Sequence, residues 1–376
     1  MFDALTYLQL QEYWWFIVAL LAGLFVFMSF VQGGQTLLWS IGKNQEQRDV
    51  IINLLGRKWE LTFTTLVMFG GALFAAFPLF YATSFGGAYY VWMAILFCFI
   101  IQAVAYEYRS KKNNFFGKRT YELFLFINGS VGIFLIGVAL ATLFTGGNFI
   151  VNDMNLSHWT LPTYGLEALL NPFNIAFGLM LIFLSRLLAT LYFINAIENK
   201  EMVEHSRLTL RYETIIFLLL FLFVIGSIVS MTGYGYNPES LVVSTEPMKF
   251  WHNFLALPLV AGSFLLGTIL VLIGAGVGLF SKSDKGFWSA GVGVVLVVTS
   301  LFLILGYNNT AFYPSLADIQ SSLTIQNSSG SYYTLKTMAY VSLLVPFVLG
   351  YIIVVWRVMN RKKISVDEVK NNPHHY

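Results

Sequence analysis

The chain has 376 residues, of which 57% are hydrophobic and 11% charged, against roughly a quarter charged in an ordinary soluble domain. With a mean hydropathy of +0.69 it is too apolar for a soluble enzyme, and the bilayer must act as solvent for much of it. The net charge of +3 is too small for nucleic-acid binding, and the single cysteine, Cys98, excludes an intrachain disulfide, an iron–sulfur cluster and a Cys-rich zinc site.

Nine apolar runs follow in chain order, at 14–41, 61–83, 87–106, 121–147, 171–196, 213–233, 253–280, 286–307 and 336–358. Each holds about 20 residues or more, enough to cross a hydrocarbon core of about 30 Å. They predict an all-α polytopic membrane protein of about nine transmembrane helices, as a single integral membrane domain over 1–376 with a short cytoplasmic tail at 359–376. The first run lacks a basic n-region and a small-residue cleavage site, so it reads as a retained helix that directs insertion. Longer polar connections lie at 148–170, 234–252 and 308–335, the second with the turn signal Tyr234-Gly235-Tyr236-Asn237-Pro238.

Basic residues orient this map. With the N-terminus outside, 19 of the 22 Lys and Arg fall on cytoplasmic segments, Arg109, Lys111 and Lys112 among them, and the exceptions are Arg186, Lys249 and Lys336. That is a nearly complete positive-inside bias. Tyr13, Trp14 and Trp15 are expected to anchor the first helix at the outer interface, and Trp356 the last at the inner one.

Ionisable side chains within the bilayer are costly and therefore mark candidate sites. Arg186 is the deepest, two-thirds along the fifth run, as a charge partner for a buried acid or as an arginine that snorkels to the interface. Glu60 opens the second run, as a proton-relay carboxylate or as a first-turn glutamate paired with Arg57 or Lys58. Glu107, Arg109 and Lys111 close the third as an interfacial charge cluster. Glu122 and Glu213 open the fourth and sixth, where the helix dipole accounts for them. The histidines, His158, His205, His252, His374 and His375, all lie outside the runs, which gives little reason to expect a haem held by this chain. No HExxH, Walker A, GxGxxG or GxSxG arrangement is present. With few polar residues inside and no clear internal repeat, a subunit that scaffolds a cofactor-bearing partner fits better than a channel or transporter.

Several segments together resemble subunit II of cytochrome bd quinol oxidase, over essentially the whole chain. They are Tyr13-Trp14-Trp15, Trp59-Glu60 followed by Phe69-Gly-Gly-Ala-Leu-Phe-Ala-Ala-Phe-Pro78, and Tyr106-Glu-Tyr-Arg-Ser-Lys111. Asn171-Pro172-Phe173, Phe312-Tyr-Pro-Ser315, Thr334-Leu335, Val345-Pro346 and Tyr351 add to the likeness. The resemblance implies two four-helix bundles plus a peripheral helix, in a bacterial plasma membrane. It implies a heterodimer that oxidises quinol and reduces dioxygen to water. Subunit I then carries two b-type haems and the d-type haem, and this chain holds no cofactor beyond a candidate structural quinone or lipid. A small accessory subunit is a further candidate partner.

By the same resemblance, Glu60 and Trp59 match the acidic residue and tryptophan of the family's proton path, and Arg109 matches the arginine of its basic element. The chain departs from the family where Phe27-Met-Ser-Phe-Val-Gln-Gly-Gly-Gln35 has no carboxylate and where Leu61, Thr62 and Thr65 follow Glu60. Water held by Gln32, Gln35, Thr62, Thr64 or Thr65 is one substitute for such a path, and Arg186 is expected to neutralise Glu60 or another buried acid. The rival readings are a secondary transporter of a small solute and a purely structural membrane scaffold.

Overall fold

The computed structural model describes residues 2–111 and 113–371, so Lys112, His374 and His375 lie outside the described residues. Among the described residues, nine helices are long and apolar enough to cross a membrane: α1 (Tyr7–Thr36), α2 (Gln45–Ala76), α3 (Tyr89–Tyr108), α4 (Lys118–Thr145), α5 (Pro172–Ala196), α6 (Lys200–Ser230), α7 (Pro258–Phe280), α8 (Gly286–Gly306) and α9 (Tyr332–Met359). Helices α1 to α4 form one bundle and α5 to α8 a second. The two meet where α1 packs on α8 and α5, and where α4 packs on α5. Accordingly the apolar windows of α1, α5 and α8 are 72%, 78% and 72% buried, whereas that of α9 is 12% buried. Helix α9 leans on α1 from outside both bundles.

Glycine lets these helices approach. A Cβ at Gly33 of α1 would sit 2.1 Å from the Ser185 carbonyl oxygen of α5, and one at Gly129 of α4 would sit 2.2 Å from the Gln32 carbonyl oxygen of α1. Helices α7 and α8 touch backbone to backbone, with Gly274 against the Gly286 carbonyl and Gly267 against that of Gly293. Close backbone approach of this kind replaces the hydrophobic drive that lipid cannot supply.

Helix ends depart from the apolar runs for local reasons. Helix α1 starts at Tyr7, seven residues before its run, because Thr6 and Gln9 form a capping box. The α-helix from Trp59 stops at Ala76 rather than 83, because Pro78 has no N–H to continue it. Helix α6 begins at Lys200, behind the Asn199 cap, so Glu213 lies well inside it. Pro258 likewise separates α7 from the short helix Lys249–Ala256.

The tryptophans expected at the interfaces turn inward instead. Trp15 donates to the Phe302 carbonyl (2.7 Å) and Trp14 to that of Leu335 (2.9 Å), which ties α1 to α8 and α9. Trp356 is buried and packs within 6.5 Å of Phe27, Phe30, Tyr192 and Trp288.

The connections after α4, α6 and α8 each carry a two-stranded antiparallel hairpin, Phe149–Val151 with Ser157–Trp159, Gly233–Tyr236 with Val243–Glu246, and Ala311–Tyr313 with Leu323–Thr324. All three lie on the face of the N-terminus. On the opposite, basic face the segment after α9 returns to α5, with Ile364 exchanging backbone hydrogen bonds with Ala196 and Glu198. Lys363 pairs there with Asp284 (2.7 Å), and its hydrogen bond holds the Asp284 carboxyl below the usual range.

Gly33→Ala is expected to destabilise the subunit by about 1–3 kcal/mol or to abolish its assembly, since backbone must shift. Gly262→Ala, with open space at its Cβ position, is expected to be neutral. Thermal unfolding of the two detergent-purified variants checks this, and a Gly33→Ala melting temperature equal to that of Gly262→Ala would contradict it.

Candidate functional site

The sequence candidates separate into distinct places. Glu60 sits at the start of the Trp59–Ala76 rod, exposed on the surface of the chain and with no hydrogen bond or ion pair among the described residues. It is not paired with Arg57 or Lys58, the partners expected of a first-turn glutamate. Arg57 binds Glu368 (2.8 Å), and Lys58 is fully buried with its ammonium against the Met359 sulfur (3.3 Å) and 5.2 Å from the Trp356 ring. Helical spacing puts Glu60 on the same face as Phe63, Val67 and Phe74, all of them exposed. That face opens into a groove between α2 and α3 lined by Phe63, Gly70, Gly71, Phe74, Trp92 and Phe99.

Trp59 turns inward and stacks on Tyr106 of α3, with ring centroids 5.8 Å apart at 14°. Its indole N–H is buried without a partner. Thr62 is buried and donates to the Met28 carbonyl (3.1 Å), which it reaches because α1 breaks at Ser29. Thr65 likewise bonds a carbonyl of its own helix, that of Thr62. Those hydroxyls are structural and do not line the groove.

Arg109 is fully buried at the basic end of α3. One guanidinium nitrogen meets Asp49 (2.6 Å) and Glu122 (2.8 Å). Glu122 also accepts from Trp39 (3.1 Å) and lies 3.3 Å from Arg48, while Lys118 approaches Asp49 at 3.8 Å. Glu122 is therefore the buried anchor of an ion network, and the dipole account given for it does not hold. Breaking such a network strands a charge at a cost of about 3–5 kcal/mol. Glu107 is not part of it. It points out and pairs with Lys111 (3.1 Å) in an exposed bridge worth about 0–1 kcal/mol.

One to two turns above Arg109, five uncharged side chains form a buried knot. The Gln102 side-chain oxygen accepts from Gln32 (3.1 Å), Gln35 (2.6 Å) and Asn128 (2.5 Å). Gln35 also donates to the Tyr106 hydroxyl (3.1 Å) and accepts from Asn128 (3.0 Å). Local backbone brings them together. Asn128 opens a π-turn, Asn128–Gly132, in α4, and Gly129 lets the α1 backbone close on it. A π-turn of this kind often marks a functional position. Gln102 and Asn128 sit alone in long apolar runs, and a lone amide there is the signal that reading charges only had passed over.

Arg186 neutralises an acid, but that acid is Glu213 rather than Glu60. The contact is two-pronged, at 2.9 and 2.7 Å, and a third nitrogen donates to Thr36 (3.1 Å). Glu213 is buried within α6, so its dipole account fails as well. The pair bolts α6 to α5 and to the end of α1.

At the seam of the two bundles, an apolar cavity is lined by Val26 and Leu143 of the first and by Met180, Phe217, Val297 and Phe302 of the second. Among the described residues, no group of three or more His, Cys, Asp or Glu is placed to hold a metal ion.

Comparison with known proteins agrees with this architecture. A family model described as cytochrome bd terminal oxidase subunit II matches residues 10–359. The chain is 28% identical to cytochrome bd-I ubiquinol oxidase subunit 2 of Escherichia coli, over 98% of this chain and 99% of that one. It is 26% identical to cytochrome bd ubiquinol oxidase subunit 2 of Bacillus subtilis, over 96% and 98%. A chain of the solved bd oxidase from Geobacillus thermodenitrificans shares the fold with a TM-score of 0.62 at 11% identity, covering 93% of this chain and 98% of its own. The transporter alternative finds no support in these matches. The match over residues 10–359 and the nine spans establish that the chain belongs to the cytochrome bd terminal oxidase subunit II family, as a multi-pass subunit of an oxidoreductase complex in the bacterial inner membrane.

Proposed function

We propose that this chain is the cofactor-free half of a complex in which subunit I carries two b-type haems and a d-type haem, oxidises quinol and reduces dioxygen to water. The relatives named as ubiquinol oxidase subunits support this. The N-terminus then faces the periplasm and the basic ends face the cytoplasm, in line with the charge asymmetry.

One observation carries the assignment of roles. Glu60 has no partner among the described residues and shares a face with exposed Phe63, Val67 and Phe74. Subunit I docks on this α2–α3 face, and its helices fill the groove over Gly70 and Gly71. A Cβ at Gly71 would meet nothing within 4 Å in this chain, which suits a glycine kept small for a neighbour. Once covered, Glu60 lies at the cytoplasmic mouth of the interface, where a carboxylate can take a proton from water and hand it on toward subunit I. Trp59 and Thr62 fix the start of the Trp59–Ala76 rod of α2 against α3 and α1 and so position Glu60. Any part of the groove that subunit I leaves open suits a lipid chain or a structural quinone, and a small accessory subunit has the exposed flank of α9 available.

Purification through a tag on this chain in mild detergent tests the reading. A second chain with b- and d-type haem bands in the reduced-minus-oxidised spectrum is expected, and a single colourless chain would overturn the assignment. In the complex, Glu60→Gln is expected to slow oxygen consumption by about tenfold or more with haem content unchanged. A normal rate would remove the proton role and leave a structural scaffold. Arg186→Leu is expected to cost about 3–5 kcal/mol by stranding Glu213, and Arg186→Leu with Glu213→Leu to recover most of it. An unshifted melting temperature for the single variant would show that the pair does not bolt α6 in place.

A further inference from the structure

The amide knot contains more hydrogen-bonding groups than its members can satisfy. Gln32, Gln102 and Asn128 are fully buried. Even so, the Gln32 side-chain oxygen, the Gln102 side-chain nitrogen and the Asn128 side-chain oxygen have no partner among the described residues. Each belongs to an amide that takes part in the shared contact at the Gln102 oxygen. The three bare atoms are therefore two acceptors and one donor, on three amides that meet at the Gln102 oxygen.

Exchanging oxygen and nitrogen on every amide does not repair this. The Gln102 nitrogen would then face three acceptors with two hydrogens, and the same three positions would be left bare with reversed polarity. Nor can the side chains turn to solvent, because α1, α3 and α4 are locked around them by the ion network of Arg109 and by Gly129 against the Gln32 carbonyl.

We propose that the knot is a binding site for internal water, held by Gln32, Gln102 and Asn128. Water both donates and accepts, so it can serve the bare acceptors of Gln32 and Asn128 and the bare donor of Gln102. The site is electrically neutral. Every amide in it is non-titrating; Arg109 and Glu122, on the same helices, are paired with each other, and Glu107 points outward to Lys111. Water there is bound by geometry, so its occupancy does not follow pH across the physiological range. The inference rests on the bare atoms and stands apart from the proton role of Glu60.

A cryo-EM map of the whole complex, at a resolution that shows ordered water elsewhere, tests it. Density within hydrogen-bonding distance of the three atoms is expected, unchanged between maps at pH 6 and pH 8. Gln102→Met, which keeps the volume and removes the hub, is expected to lose that density. A dry knot in the wild-type map, with the three atoms repaired by altered rotamers, would overturn the proposal whether or not the variant assembles. Oxygen consumption of Gln102→Met is read separately. A normal rate with the wild-type water present leaves the site intact and shows that it is not a step in proton delivery, whereas failure of Glu60→Gln to slow turnover bears only on the interface route.

Discussion

A guanidinium with no access to solvent fixes the basic end of the first bundle. Arg109 is fully buried, and an unpaired charge in so poorly solvated a place is penalised by several kcal/mol. Asp49 and Glu122 remove the penalty only if the segment before the α2 rod and the start of α4 both close on the end of α3. One side chain thus sets the mutual placement of three segments. The positions one to two turns above, where Tyr106 and the amides meet, follow from that placement. So does the seat of Trp59 on Tyr106, which determines where the α2 rod begins.

The second bundle solves the same problem with fewer charges. Its interior is apolar around Met180, Phe217 and Val297, and α7 and α8 approach backbone to backbone at Gly267, Gly274, Gly286 and Gly293. Its one buried ion pair, Arg186 with Glu213 among the described residues, stands at the seam with α1, through Thr36. The two halves share a helix count and differ in chemistry. Buried polar networks are concentrated in α1 to α4, and the interior of α5 to α8 is mainly apolar.

How much of this was legible in the sequence depends on the signal each residue gives. Spans are set by runs of apolar residues against the thickness of a bilayer, so nine of them could be counted directly. Their ends depend on caps and prolines, and on polar turns that continue a helix past its apolar run. That is why Glu213 looked like the first residue of a helix that begins at Lys200. Arg186 was legible as a neutralising charge, but its partner was not, because pairing depends on which helix lies beside which. Glu60 was legible from its place at the start of the second run and from its likeness to a family, and its exposure could come only from the fold. Gln102 and Asn128 are single amides whose importance arises from meeting Gln32 and Gln35, and no spacing within one helix announces that.

The contrast between Glu60 and the knot bears on how protons can move. An amide neither accepts nor releases a proton at physiological pH, so five neutral side chains with one tyrosine among them do not by themselves store charge. Such a knot conducts only through the water it holds, and it favours no protonation state. A carboxylate can hold the charge, but only where its anion is tolerated when empty. Glu60, exposed on its own chain at the end of a helix next to basic residues, meets that condition before the partner covers it and retains an N-terminal helix dipole afterward. A carboxylate in place of Gln32 or Gln35 would have no cation within its own cluster and would stay protonated or disrupt the bundle. An acid on the exposed α2–α3 face and amides in the interior are therefore physically consistent. The interior can hold water and shape, and a charge that must come and go belongs at the face where subunit I is expected.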